Sequence, residues 1–368
     1  MAQGLSRRAW LTRLAFAASA AAGASAATPE VRARQTGEKD APKATLKLSL
    51  ACIDNYDRTR ALLDGTVKPE GIDLKGEAIG PADLFRRVAQ RAEFQVSEMS
   101  TSTFMILKSQ GDDRYVGIPV FPSRNFRHGY IFINRRSGIA RPEDLAGKRI
   151  GAPEYQTTAA LWQRSFLQDD YGIKPERIEW FEGGLDAPEP ERYHVEISGG
   201  VHVQRIKAGE TLSRLLEEGR LDAVMGPAEP ECFRRASHIA RLFPDYKRVE
   251  QDYFRRTKFF PIMHMLVLRN DVYRENPWAA MSIFKAFQSA KEKGMQRLWE
   301  TWDLPCAVPW LLPELEETRA IFGPDHWPYG IAANQGVLER MTRASLEQGL
   351  SPKKLAARDL FARETWQT

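Results

Sequence analysis

Between Leu46 and Gln110 short apolar runs alternate with amphipathic stretches, and this alternation confines the chain to a small group of folds. LKLSLACI reads as a strand, LFRRVAQ as a short helix, FQVSEM as a buried strand and TFMILKSQ as a helix stopped by Gly111. A βαβα order implies an α/β fold with mostly parallel sheets flanked by helices. Asp144 to Pro153 (DLAGKRIGAP) adds a strand entered by a turn. Thr157 to Gln168 follows as a helix with Ala160, Leu161, Phe166 and Leu167 on its apolar face, which opens a second lobe. RRVAQRAEFQVSEMS and SRLLEEGRLDAVMGP echo one another, as two lobes built on a similar plan would.

Two strands are placed to carry the chain between the lobes as hinge strands: His128 to Asn134 (HGYIFIN) going out and Phe260 to Arg269 (FPIMHMLVLR) coming back. Trp278 to Arg297, Leu312 to Ile321 and Gln335 to Gln348 read as helices behind the first lobe, the last capped by Asn334. The expected division is lobe 1 over residues 44–134 and 262–368 and lobe 2 over 135–261. With 43% hydrophobic and 10% aromatic residues among 368, the chain can bury a core in both.

The first 26 residues have the layout of an export leader: Arg7 and Arg8, an Ala-rich stretch to about Ala22 and a small-x-small site at Ala24-Ser25-Ala26. Ser6-Arg7-Arg8-Ala9-Trp10-Leu11 resembles the twin-arginine signature, so the translocase of that route is an expected partner and the periplasm the expected location. Residues 27–43 are polar and proline-bearing, suited to a flexible linker. No stretch approaches the ~20 apolar residues of a membrane span, so no stable membrane anchor is expected after cleavage. Losing Arg7, Arg8 and Arg13 with the leader takes the formal charge from +5 to +2, which gives no footprint for nucleic acid. Cys52, Cys232 and Cys306 are too few and too far apart for a disulfide framework and read as buried thiols.

Ligands of open α/β sheets sit beyond the carboxyl ends of the strands. The residues there are Tyr56, Asp57 and Arg58; Glu98, Ser100 and Ser102; Ser123, Arg124, Arg127 and His128; Tyr155, Gln156, Thr157 and Thr158; and Gly226. Thr157 and Thr158 open a helix, where free N–H groups favour an anion, although one threonine suffices as an N-cap. Arg124 and Arg127, beside aromatic, proline and histidine neighbours, suit two-pronged binding of a carboxylate, although surface solvation accounts for either arginine taken alone. His264 alternates against Met263 and Met265 in an apolar strand, either as a core histidine or as a cleft group that exchanges a proton near neutral pH. The six histidines lack metal-type spacing, and neither a Gly-x-Ser-x-Gly elbow nor a glycine-rich phosphate loop occurs, which argues against zinc, serine-hydrolase and nucleotide chemistry.

YDRTRALLDGTVKPEGID, FPSRNFRHGYIFIN, DLAGKRIGAPEYQTTAALW, FPIMHMLVLR and HWPYGIAAN, taken in order from about Leu46 to Phe361, resemble the blocks of the 4,5-dihydroxyphthalate decarboxylase family. The resemblance implies a two-lobed periplasmic-binding-protein type 2 fold and, in its cleft, decarboxylation of a hydroxylated aromatic carboxylate. The alternative is delivery of a small aromatic carboxylate to an ABC-type importer permease, and a third reading is an exported interaction protein with an inert cleft. Arg124 and Arg127, with Arg58, would anchor carboxylates; Glu98 or Asp57 would act on the phenol; His128 or His264 would protonate the ring. No cofactor is evident from the residues, and a divalent metal is left open.

Overall fold

The computed structural model describes residues 45–53, 56–188, 197 and 200–368, so the leader and linker expected over 1–43 lie outside the described residues. The chain builds β1 (Leu46–Ile53), α1 (Asp57–Leu63), β2 (Ile72–Ile79), α2 (Pro81–Arg91), β3 (Val96–Ser100), α3 (Thr101–Ser109) and β4 (Tyr115–Arg124). Then come β5 (Ile131–Asn134), β6 (Arg149–Ala152), α4 (Thr158–Tyr171), β7 (Glu179–Glu182), β8 (Val203–Arg205), α5 (Leu212–Glu217), β9 (Ala223–Met225), α6 (Cys232–Arg235), β10 (Ile239–Arg241) and α7 (Tyr246–Thr257). The last part is β11 (Ile262–Arg269), α8 (Asn270–Glu275), α9 (Trp278–Leu298), α10 (Leu311–Phe322) and α11 (Gln335–Glu347).

Two sheets result, ordered β2-β1-β3-β11-β4 and β10-β5-β9-β6-β7-β8 among the described residues. This is the two-lobed α/β architecture expected from the sequence. One strand in each sheet runs against the rest: β11 is antiparallel to β3 and β4, and β5 is antiparallel to β9 and β10. Connectivity explains the reversal. A chain leaving one sheet at the edge where its strands end enters the other sheet at the facing edge, so its first strand there runs away from the cleft. The first residues of β11 therefore lie beside the last residues of β3 and β4.

The chain passes between the two sheets twice. Strand β5 belongs wholly to the second sheet and β11 wholly to the first, and the passages are made by residues 125–130 and 258–261. Burial is the reason. Ile131, Phe132 and Ile133 are buried, and a run covered on both sides belongs inside a sheet, whereas His128–Tyr130 forms a 3-10 turn ahead of it. The outward passage thus ends where β5 begins. Helix α4 straps the start of β11 and the outward passage: Trp162 Nε1 donates to Ile262 O at 2.9 Å, and Gln163 Nε2 to Tyr130 O at 3.0 Å.

Two smaller expectations change. Asn334 does not cap α11 with its side chain; Oδ1 accepts from Arg124, and the helix continues directly from the 3-10 turn Ala332–Asn334. Cys52 and Cys232 are buried, but Cys306 is exposed, because it lies in a stretch outside helices and strands that stands clear of the body, where Trp302 is 99% exposed. No helix among the described residues is long and apolar enough to cross a membrane.

Candidate active site

The site grows from sheet register. His264 lies opposite Ser100 of β3 on one side and Ser123 of β4 on the other, and Glu98, opposite Leu266, is diagonal to His264 on the same face. The Glu98 side chain is fully buried, and among the described residues its oxygens are met by Ile53 N at 3.0 Å on Oε2, and on Oε1 by His264 Nδ1 at 2.7 Å and the Tyr56 hydroxyl at 3.3 Å. A buried carboxyl is tolerated when it is met in this way. Glu98 thus takes up the Nδ1 side of the His264 ring, and the side chain keeps 19% exposure. The edge of the imidazole is held by Phe85, T-shaped at 4.7 Å between centroids. Burial, reinforced by Glu98, pushes the Tyr56 phenol well above its ordinary range, so it stays a donor.

Arg58 forms the second part. Its guanidinium lies between two rings, 4.1 Å from Tyr56 and 4.2 Å from Trp327. Its Nε donates to Pro122 O, and Nη1 donates to Asp57 Oδ1 at 3.0 Å. Asp57 is thus committed to Arg58. Helix α9 reaches this spot closely because Gly294 has no side chain: a Cβ there would stand 2.6 Å from Asp57 O. Trp327 is fixed in turn by its indole N–H, which donates to Phe121 O at 2.9 Å.

The third part joins two helix N-termini. Ser100 caps α3 by accepting from Thr103 N, and Thr157 caps α4 by accepting from Ala160 N. Thr158, the first residue of α4, faces across: its Oγ1 is 3.0 Å from Ser100 Oγ and accepts from Ser102 N at 3.1 Å. Thr101 Oγ1 and Ser102 Oγ are buried there without a hydrogen-bond partner. Two positive helix ends with spare hydroxyls make a setting for an anion.

The structure brings together Tyr56, Asp57, Arg58, Glu98, Ser100, Ser102, Ser123, Thr158 and His264. Others go elsewhere. Arg124 is buried and spent on structure: its Nη atoms donate to Phe260 O at 2.9 Å, Pro328 O at 2.7 Å and Asn334 Oδ1. Arg127 is also buried, donating to Pro227 O at 3.0 Å and Met263 Sδ at 3.2 Å, so it ties the outward passage to the returning strand. His128 is not in the cleft: it stacks on Phe166 at 3.9 Å, with Phe243 and Tyr253 around it. Burial holds it neutral, its pKa lowered to about 3. Tyr155 is packed inside the second lobe against Trp180 with its hydroxyl on Gln348 O at 3.3 Å, and Thr157 acts as the cap. Gln156 bonds Glu154 at 3.4 Å. Gly226 O accepts from Gln163 at 3.3 Å, and a Cβ at Gly226 would stand 2.8 Å from Pro153.

Phe85 and Trp327 were not among the candidates from sequence. The block HWPYGIAAN carried a signal for Trp327, but its distance along the chain hid its stacking on Arg58. Among the described residues, no group of three or more His, Cys, Asp or Glu side chains is arranged to hold a metal.

No family model matches the chain. Its fold is similar to the aliphatic sulphonate binding protein SsuA from Escherichia coli (TM-score 0.49, 11% identity, covering 88% of this chain and 99% of that one). Over 318 residues it is 37% identical to a 4,5-dihydroxyphthalate decarboxylase of Comamonas testosteroni, covering 86% of this chain and 96% of that protein. A protein of the same name from Pseudomonas putida is 38% identical over 216 residues, which span 58% of this chain and 83% of its own length. With the blocks around Tyr56, Arg124 and His264 falling within one continuous likeness of this extent, the chain belongs to the 4,5-dihydroxyphthalate decarboxylase family.

Proposed function

We propose that this protein is a carboxy-lyase that removes CO2 from a hydroxylated aromatic carboxylate of the 4,5-dihydroxyphthalate class. The observation that carries the reading is the 2.7 Å contact between His264 and the buried Glu98 at the cleft edge, flanked by Arg58 and the facing helix ends. Decarboxylation asks for anchored carboxylates, electron density in the ring and a proton for the carbon that is vacated. Arg58 and the N-termini of α3 and α4 supply anchors. Each hydroxyl of this substrate is para to a carboxylated carbon, so its oxygen lone pair pushes electrons toward that carbon. His264 Nε2 delivers a proton there, the carbon–carboxylate bond breaks, its electron pair restores the aromatic ring, and CO2 leaves. One proton is consumed, and 4,5-dihydroxyphthalate becomes 3,4-dihydroxybenzoate. Glu98 orients the imidazole and stabilises its cationic form.

Family membership supports this reading, as does the assembly of the dyad from two distant strands. The leader motif of residues 6–11 supports export by the twin-arginine route to the periplasm. The two-lobed fold with two passages favours the second reading, a binding protein handing an aromatic carboxylate to an importer. His264→Asn separates the two: a lyase loses turnover by more than about a hundredfold while calorimetric affinity stays within a few-fold. A variant that turns over at the wild-type rate removes His264 from the chemistry.

A further inference from the structure

Lys291 is a buried cation outside the proposed chemistry, with its side chain 3% exposed on α9. Its ammonium donates to Asp325 Oδ2 at 2.7 Å and to Trp327 O at 3.1 Å, and it lies 5.1 Å from the centroid of Tyr329. Asp325 completes the loop by accepting from Trp327 N at 3.0 Å on its other oxygen. All these contacts converge on Asp325–Tyr329, the segment whose indole lies against Arg58. Three residues further along α9, on the same face, Gly294 lets the helix backbone approach Asp57 and Arg58. One face of one helix therefore sets both members of the stack, Arg58 through Gly294 and Trp327 through Lys291.

We infer that Lys291 is a positioning residue that holds Trp327 against Arg58 and thereby fixes the carboxylate-binding end of the site. The reasoning is energetic. A lysine ammonium is costly to bury, and here it meets one carboxylate and one carbonyl of the same short loop rather than a neighbouring helix. The loop itself contains no helix or strand to stiffen it. Removing the charge frees the loop while leaving the contact of α9 with α1 intact. The consequence for ligands rests on the reading of Arg58 as a carboxylate anchor; the consequence for Trp327 does not.

Two measurements on the full-length chain test this. Without ligand, the indole N–H resonance of Trp327, assigned with Trp327→Phe, should shift in Lys291→Met and exchange with solvent about tenfold faster, because its bond to Phe121 O is loosened. With 4,5-dihydroxyphthalate, Lys291→Met should raise Kd and KM about tenfold with kcat changed less than about threefold, and in a Trp327→Ala background it should add less than about twofold. Asp325→Asn, at a half-exposed carboxylate, should shift both readouts in the same direction by less. An unmoved indole resonance in Lys291→Met overturns the positioning role, as does equal weakening in both backgrounds. If the wild type binds no 4,5-dihydroxyphthalate while the resonance moves as expected, the substrate assignment fails and the positioning role stands.

Discussion

At the scale of single residues, the site separates two histidines that look alike in sequence. Both stand beside aromatic or methionine neighbours, but of the two only His264 has a carboxyl at hydrogen-bond distance from its ring, and only His264 borders the cleft. The environment of His128 shows why. Its ring nitrogen Nδ1 is buried without a hydrogen bond, 3.9 Å from Glu250, inside an aromatic cage. Glu98→Gln tests the dyad: an amide that turns its N–H2 toward His264 favours the wrong tautomer, so turnover should fall by about a hundredfold or more with affinity little changed, as single-turnover kinetics and calorimetry would report. Glu250 gives a pH signature. Burial raises its carboxyl from the ordinary 4.5 to about 7, against the opposing pull of the Gly129 and His128 amides, Arg127 and Arg241. Between these values the folded protein holds a proton that the unfolded chain has lost. Stability contributed by this group therefore falls as pH rises through that window, and the loss is complete above about 7. Glu250→Gln should match the wild type near pH 4 and gain up to about 3 kcal/mol on it by pH 8, measured by chemical denaturation. A constant difference across that range would mean that Glu250 does not titrate there.

At the scale of elements, what was legible in the sequence followed from burial. Apolar runs such as LKLSLACI and FQVSEM are strands because both faces are covered, and the helix after Ala152 was visible from its spacing and its threonine cap. The fate of polar side chains was not legible in that way. Arg124 and Arg127 share the same local chemistry as Arg58, yet their guanidinium groups bond carbonyl and thioether partners between 100 and 210 residues away in sequence. No local pattern encodes such partners. The same holds for Gly294, whose role is defined by helix α1 lying against it. Gly294→Ala should cost about 1–3 kcal/mol, since backbone rather than a flexible side chain meets the added methyl, and it should weaken binding of 4,5-dihydroxyphthalate by displacing Arg58. An alanine variant with wild-type unfolding and affinity would show that α9 does not constrain Arg58.

At the scale of the whole molecule, the two lobes and their order were expected from the strand–helix alternation and the family resemblance. The direction of the strands at each passage was not, because it depends on which edge receives the chain. That detail matters for function: only an antiparallel β11 brings the start of FPIMHMLVLR, and with it His264, to the edge where Glu98, Ser100 and Ser123 lie. The cleft is bridged here by Ser100 and Thr158, one from each lobe, so a ligand that sits between the helix ends must exchange that contact for its own. Ligand should therefore change the lobe arrangement, and small-angle scattering at saturating 4,5-dihydroxyphthalate should differ from the ligand-free curve; superimposable curves would count against binding between the lobes. The most direct test of the site as a whole is to incubate the purified protein with 4,5-dihydroxyphthalate and quantify the gas and the aromatic product. A lyase acting through Glu98 and His264 yields equimolar CO2 and 3,4-dihydroxybenzoate; saturable binding that yields neither contradicts it.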